Sequence, residues 1–229
     1  MIARLCAHVW SPLTPFEDRQ SLLLCIAMPA FVTERDMNAV SREIYPLLPE
    51  QFRDKLPSEV KASAQNSEIF RATFSFDPKL IDTLFSQLCY EDGSEWAMWK
   101  LVSCFYLVEN RIGPNTVRKA GERIYSTMPW PPQVKSLADA LRFTEIAYFE
   151  SHLRAPKDRA GCWRVELEKP GLTILTDETP YPCNVNEGVV SGICMAFAKQ
   201  KPSYRILEPA QAKRAGGRVT RYEVVFEPA

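Results

Sequence analysis

Histidine is scarce in this chain of 229 residues, which contains only His8 and His152. General-base catalysis, zinc binding and axial haem ligation all rely on imidazole, so each of these chemistries has few candidates here. Cysteine occurs seven times, but this number is odd and no two cysteines form a Cys-x-x-Cys pair. We therefore expect reduced, mostly buried thiols.

Net charge is also absent, because 28 basic residues balance 28 acidic residues. A neutral chain has no overall field to attract phosphates or anionic lipids, which argues against nucleic-acid and membrane-surface binding. The longest apolar run, 22–32, is about half the length that crosses a bilayer, and Pro29 interrupts it. We predict no membrane span and a cytoplasmic location.

The glycine-rich signatures of nucleotide binding are missing, as are the Gly-x-Ser-x-Gly and His-Glu-x-x-His signatures of hydrolases. The pair Gly216-Gly217 has basic neighbours that suggest an anion cradle: Lys213, Arg214, Arg218 and Arg221. A hairpin with a solvated basic edge explains the same residues better.

Apolar residues make up 46% of the chain and charged residues 24%, which is typical of a folded protein. Prolines divide the first ninety residues, so the helices there are expected to be short. One is predicted over 34–45. Another begins at Asp77-Pro78, where an acid caps the helix and proline opens it.

Longer helices follow in the middle of the chain. The segment 94–112 is apolar around most of its circumference, as in a centrally buried helix. The next helix, 116–125, contains Gly121, which indicates a close backbone approach. A helix over 136–153 begins with a capping-box pattern.

Alternating apolar and polar residues then predict strands over 163–167 and 172–176, joined by a hairpin turn. A helix over 185–197 and two further strands, 204–207 and 219–226, complete the chain. The order predicts an α+β fold, with helices packed on a small antiparallel sheet. We expect 1–92 to form a helical N-terminal extension and 93–229 the α+β domain.

Few residues qualify as catalytic. The candidates are His152, Glu145 and Cys183, and Cys162 and His152 can be drawn as an activated thiolate pair. For His152, packing at a helix end explains the residue better. Cys183 precedes a helix, where the dipole would lower the pKa of an exposed thiol, but a buried turn cysteine is the favoured interpretation.

An aromatic group is the best candidate for an apolar ligand pocket, although aromatic residues at helical spacing more often form core. Its members are Trp96, Trp99, Phe105, Tyr106, Phe143, Tyr148 and Phe149.

Three short motifs carry a family resemblance: 110–121, the Tyr-Pro-Cys of 181–183, and Gly216-Gly217 followed by 222–224. With them the chain resembles, over roughly 95–226, the 4-vinyl reductase domain. Its superfamily includes haem nitric-oxide-binding domains and TRAPP-type trafficking subunits. The resemblance implies an α+β fold around a ligand-sized apolar cavity.

The chain departs from these relatives in several places. Thr220 stands where many place a cysteine, and the cysteine cluster of some 4-vinyl reductase domains is missing. The Tyr-x-Ser-x-Arg pattern of the haem sensors is not supplied by 125–129. These departures disfavour haem and zinc. Trafficking-type members carry an acylated cysteine, for which Cys183 and Cys194 are formal candidates, and Cys194 joins the predicted ligand-binding set.

The leading hypothesis is a non-catalytic, dimeric protein that binds or senses a small apolar molecule between the 94–112 helix, the 136–153 helix and the sheet. A second hypothesis is a small enzyme acting on a hydrophobic or tetrapyrrole-like substrate, with His152, Glu145 or Cys183 as acid, base or nucleophile. A third is an adaptor with a closed core, whose N-terminal region binds a partner chain.

Overall fold

The computed structural model describes residues 48–53, 60–88, 93–199 and 201–227. The helix predicted over 34–45 lies outside these residues. Within the described part of the chain, no helix combines the length and the apolar character that a membrane span requires.

Helices dominate the chain up to residue 160. The elements are α1 (Glu50–Arg53), β1 (Lys61–Ala62), α2 (Ala64–Thr73), α3 (Pro78–Gln87), β2 (Trp96–Ala97), α4 (Met98–Ile112), α5 (Pro114–Thr127), α6 (Leu137–Ser151) and α7 (Lys157–Ala160). Two of them differ from expectation. The apolar helix begins at Met98 rather than 94, because β2 pairs with β1 first, and α6 is followed by a short helix, α7, that the sequence did not predict.

The remainder forms the sheet and the helix that covers it. Its elements are β3 (Trp163–Lys169), β4 (Leu172–Asp177), α8 (Cys183–Phe197), β5 (Ser203–Leu207) and β6 (Thr220–Val225), with single 3₁₀ turns at Pro209–Gln211 and Lys213–Ala215. The predicted α+β fold and its element order are confirmed.

Local sequence signals explain where two helices begin. The Asp77 carboxylate accepts a hydrogen bond from the Leu80 amide at 3.1 Å, and Pro78 opens α3. At α6, the Ser136 hydroxyl accepts from the Asp139 amide at 3.1 Å, while the Asp139 carboxylate accepts from the Ser136 amide at 3.1 Å. Both predicted caps are confirmed.

The sheet is antiparallel throughout, in the order β3-β4-β6-β5. Its period-two pattern separates two faces. On the face toward the helices, Leu175 pairs with Tyr222, and both are buried. On the opposite face, charged side chains pair across strands, as Arg221 does with Glu166 at 2.6 Å.

Helices α5 and α8 approach closely because glycines line their contact. A Cβ atom on Gly121 would lie 2.4 Å from the Val185 carbonyl oxygen, which confirms the predicted close approach. A Cβ on Gly188 would lie 2.0 Å from the Arg118 carbonyl oxygen, and one on Gly192 would lie 2.4 Å from that of Glu122. Only glycine permits this separation.

The core divides into two clusters. The helical cluster gathers residues from α2, α3 and α4, with Tyr181 and Val185; its largest members include Phe70, Phe74, Phe85, Trp96, Trp99 and Phe105. The sheet cluster joins the inner sheet face to α6 and α8; it includes Leu141, Phe143, Trp163, Leu175, Ile193 and Tyr222. Helices from both sides of position 92 therefore share the helical cluster.

Candidate functional site at the end of helix α6

His152 caps the C-terminal end of α6 and is only 3% exposed. Its Nδ1 lies 2.7 Å from the Tyr148 carbonyl oxygen, and its Nε2 lies 2.9 Å from the Tyr181 hydroxyl. Because a carbonyl oxygen can only accept, Nδ1 carries the proton and donates it. Nε2 therefore offers a lone pair, which accepts the hydroxyl proton of Tyr181.

Burial fixes the protonation of this pair. It lowers the pKa of His152 to about 4, although the hydrogen bond to the Tyr148 carbonyl opposes the shift. Burial also raises the pKa of Tyr181 above its ordinary value. At neutral pH the site therefore holds a neutral imidazole and a protonated phenol.

A small cavity adjoins His152 between the end of α6 and α7. Its enclosed volume is about 10 Å³, and its lining includes Glu145, Tyr148, Phe149, His152, Lys157 and Cys162. That volume accommodates about one water molecule. Tyr148 closes one side by donating its hydroxyl to the Ala160 carbonyl oxygen at 2.5 Å. We call His152, Tyr148, Tyr181 and this cavity the His152 corner.

Charged groups lie at the outer edge of the His152 corner. Lys157 donates to the Glu145 carboxylate at 2.6 Å; the Lys157 side chain is 56% exposed and that of Glu145 is 35% exposed. Glu145, a predicted catalytic residue, is therefore brought to the same cavity as His152, but it is already paired with a cation.

The structure also brings Cys162 to the cavity. Burial, together with the nearby Glu178 carboxylate, raises the pKa of the Cys162 thiol. The Nε2 lone pair of His152, the group that would act as the base, is held by Tyr181. A neutral thiol beside an engaged imidazole is not an activated thiolate pair.

The loop that carries Tyr181 is anchored by a buried ion pair. The Lys213 ammonium lies 2.5 Å from the Asp177 carboxylate, and neither side chain is more than 2% exposed. Lys213 also donates to the carbonyl oxygens of Thr179, at 2.9 Å, and Tyr181, at 3.1 Å. Asn186 of α8 donates to Asp177 at 2.6 Å. The charges are thus fully hydrogen-bonded, which a buried pair requires.

The predicted ligand-binding residues do not lie together. Those in or against the helical cluster are Trp96, Trp99, Phe105, Tyr106 and Tyr148, and those in the sheet cluster are Phe143 and Cys194. Phe149 lines the cavity at the His152 corner. The set therefore spans three environments, and only Tyr148 and Phe149 from it line this cavity.

Cys183 occupies the first position of α8 and is 6% exposed. Its Sγ lies 3.7 Å from the Thr220 hydroxyl, and it is not among the residues that line the cavity beside His152. Thr220, noted in the sequence as a departure, is thus the neighbour of this thiol. The buried turn cysteine is the interpretation that the packing supports.

Sequence reasoning overlooked Tyr181 and Asp177, and it misjudged Lys213. The expectation of a solvated basic edge is wrong for Lys213, which is buried against Asp177. The expectation is better for Arg214 and Arg221, whose partly exposed guanidinium groups pair with Glu187 and Glu166. The one available signal was the Tyr-Pro-Cys turn, which stood out as a motif without indicating a contact to His152.

The arrangement defines a class of fold, in which helices cover one face of a four-stranded antiparallel sheet and meet at a buried histidine. No family model and no curated protein match the sequence. Among solved structures, the chain is similar to H-NOX domains. It matches a point mutant of T. tengcongensis H-NOX with a TM-score of 0.53 and 12% identity, over 72% of this chain and 97% of that one.

Two other H-NOX structures agree. One, from work probing heme distortion in the H-NOX family, has a TM-score of 0.52 and 12% identity, over 72% of this chain and 95% of that one. The S. oneidensis H-NOX in its Fe(II)NO state has a TM-score of 0.50 and 12% identity, over 71% of this chain and 97% of that one. At this identity the likeness establishes the fold, which the predicted superfamily shares. Membership of the 4-vinyl reductase family itself stays a prediction.

The expectation that disfavoured haem is wrong, because solved structures with a similar fold are H-NOX domains, one of which was determined to probe heme distortion. Scarcity of histidine was a poor guide, since a single buried histidine suffices as an axial ligand. In the described conformation, however, the residues around His152 do not fit a macrocycle. The cavity has room for about one water molecule, and Tyr181 occupies Nε2.

Proposed function

We propose that this chain is a sensing domain that binds a small molecule at the His152 corner and catalyses no reaction. The fold shared with H-NOX domains supports sensing. The position of the site is supported by one observation above all: a buried, neutral imidazole presents a lone pair that only a hydroxyl group holds. A metal centre or a hydrogen-bond donor can take the place of that hydroxyl.

Haem is the first ligand to test, because of the structural neighbours. An apolar molecule is the second, because the aromatic wall of the helical cluster reaches the His152 corner at Phe105. The Phe105 and Tyr181 rings meet edge to face with centroids 5.5 Å apart. A ligand that moves Tyr181 therefore gains contact with apolar surface on α4.

Binding is favoured over catalysis by the positions of the three candidate residues. His152 and Glu145 line the same cavity, but Cys183 lies at the start of α8 against Thr220. Moreover, the Glu145 carboxylate is paired with Lys157 and the His152 lone pair is engaged by Tyr181. No pair of these groups is poised to transfer a proton.

Native mass spectrometry combined with an absorption spectrum tests the proposal on freshly purified protein. We expect a retained small molecule with a mass near that of one ligand per chain, and we expect its loss in His152→Ala. His8→Ala serves as the matched control, because it removes the other histidine. The same spectrum reads the oligomer, for which we propose a homodimer. Equal retention by wild type and His152→Ala would refute the site.

A further inference from the structure

Glu109, in the last turn of α4, is joined to two other elements by a chain of polar contacts. Its Oε1 accepts a hydrogen bond from the side-chain amide of Asn184, at the start of α8, at 3.0 Å. The Asn184 Oδ1 accepts from Arg214 of the 3₁₀ turn at 2.8 Å, and Arg214 also donates to Glu187 of α8 at 2.7 Å. We call these four residues the Glu109 joint.

The two carboxylates of the Glu109 joint are not equally compensated. Glu187 has two cationic neighbours, because Arg118 of α5 lies 4.0 Å from the oxygen that Arg214 does not contact. Within the described part of the chain, Glu109 has no cation as a direct partner, and its Oε2 is covered by protein without a hydrogen-bond donor. A covered oxygen without a donor costs far more when it is charged than when it is neutral. The environment of Glu109 therefore suits the protonated acid better than the carboxylate.

The groups that face Glu109 favour the same protonation state. Burial raises the pKa of Glu109 above its ordinary value, and the Glu187 carboxylate adds to the rise. The hydrogen bond from Asn184 and the charge of Arg214 oppose the rise without cancelling it. Tyr106, on α4 itself, also interacts with Glu109, but burial raises the pKa of this phenol, which therefore stays neutral.

We propose that the Glu109 joint is a pH-responsive contact, which holds the end of α4 against the start of α8 while Glu109 is protonated and weakens when Glu109 ionises. The folded chain binds this proton more tightly than the unfolded chain, so the stabilisation is complete in acid and is lost as the pH rises through the folded pKa of Glu109. The Glu109 side chain is only half-buried, so its charged form can reach water without any movement of core rings. The joint does not depend on what the His152 corner binds.

Carbon-13 NMR of the glutamate carboxyl groups, recorded from acid to neutral pH, tests the joint. The Glu109 carboxyl carbon should titrate at a higher pH than a glutamate in an unfolded peptide, and the side-chain amide signals of Asn184 should shift with the same midpoint. Glu109→Gln, an uncharged mimic of the acid, should abolish the shift of the Asn184 signals. Glu95→Gln is the matched control, because Glu95 lies in an exposed pair with Lys61, and it should leave that shift in place.

Denaturant unfolding provides a second readout. The free energy of unfolding of the wild type should fall relative to that of Glu109→Gln as the pH rises, and a constant difference overturns the proposal. A Glu109 midpoint at or below the peptide value overturns it as well, as do Asn184 signals that do not follow the Glu109 titration. Both of these outcomes are read from the wild type alone, so they decide the question even where the variant fails to fold.

Discussion

The helical cluster and the His152 corner are both rich in aromatic rings and share Tyr181, but away from that residue they are built differently. In the helical cluster, rings contact rings: Phe70 meets Phe74 and Phe105 with centroids 4.7 Å and 4.8 Å apart. At the His152 corner, each ring also has a polar partner, through the hydroxyls of Tyr148 and Tyr181 and both nitrogens of His152.

The difference indicates which aromatic residues can take part in ligand binding and which contribute to stability alone. Rings that satisfy one another by packing contribute stability and leave nothing to exchange. A buried ring with a hydrogen-bond partner also packs against its neighbours, and in addition it offers a partner that a ligand can replace.

Lys213→Ala should reduce the free energy of unfolding by about 3–5 kcal/mol, because it leaves the Asp177 carboxylate buried without a cation. Denaturant unfolding measures the change. Lys157→Ala is the matched control: its pair with Glu145 is exposed, so the loss should stay below about 1 kcal/mol. Similar losses in both variants would show that the loop of Tyr181 is not anchored by a buried pair.

Acid should destabilise the protein through His152. Its folded pKa of about 4 lies below the ordinary 6.5, so between these pH values the unfolded chain binds more protons than the folded chain. The free energy of unfolding should therefore fall by roughly 3 kcal/mol as the pH drops through this window. His152→Gln should lose this part of the pH dependence; a variant with the wild-type slope would assign it to other groups.

Phe70→Leu should cost about 1–2 kcal/mol of stability, because Phe70 is fully buried in the helical cluster. The variant should nevertheless leave the imidazole NMR signals of His152 unchanged, since Phe70 contacts rings and not the polar corner. A shift of the His152 signals would show that the two regions are coupled more tightly than their packing indicates.

Tyr148→Phe should cost about 1 kcal/mol, because it removes the hydrogen bond to the Ala160 carbonyl oxygen. The proton on His152 Nδ1 should stay in place, since its acceptor is the Tyr148 backbone rather than the side chain. Thermal unfolding and imidazole NMR measure the two parts, and loss of the Nδ1 proton would contradict the assigned tautomer.

The sequence was informative where structure depends on neighbours along the chain. The Asp77-Pro78 start, the Ser136–Asp139 capping box and the strand alternation each depend on residues within a few positions, and each is confirmed. Gly121 is a partial exception, because its unfavourable helix propensity revealed a contact with α8.

The site was harder to predict from the sequence, because its contacts join residues that lie far apart along the chain. The Tyr181 hydroxyl meets His152 across 29 positions, and Lys213, in the 3₁₀ turn before β6, reaches Asp177 at the end of β4. No local pattern encodes such pairings. Aromatic composition pointed instead to the helical cluster, where burial and ring contacts are satisfied within the core.

Imidazole NMR of the protein with its retained small molecule, and again after that molecule has been removed, most directly tests whether the ligand binds at His152. The free protein should show a neutral His152 with its proton on Nδ1, and the retained molecule should shift or broaden the His152 signals. A retained molecule that leaves the His152 signals unchanged would contradict the account, because the ligand would then lie elsewhere.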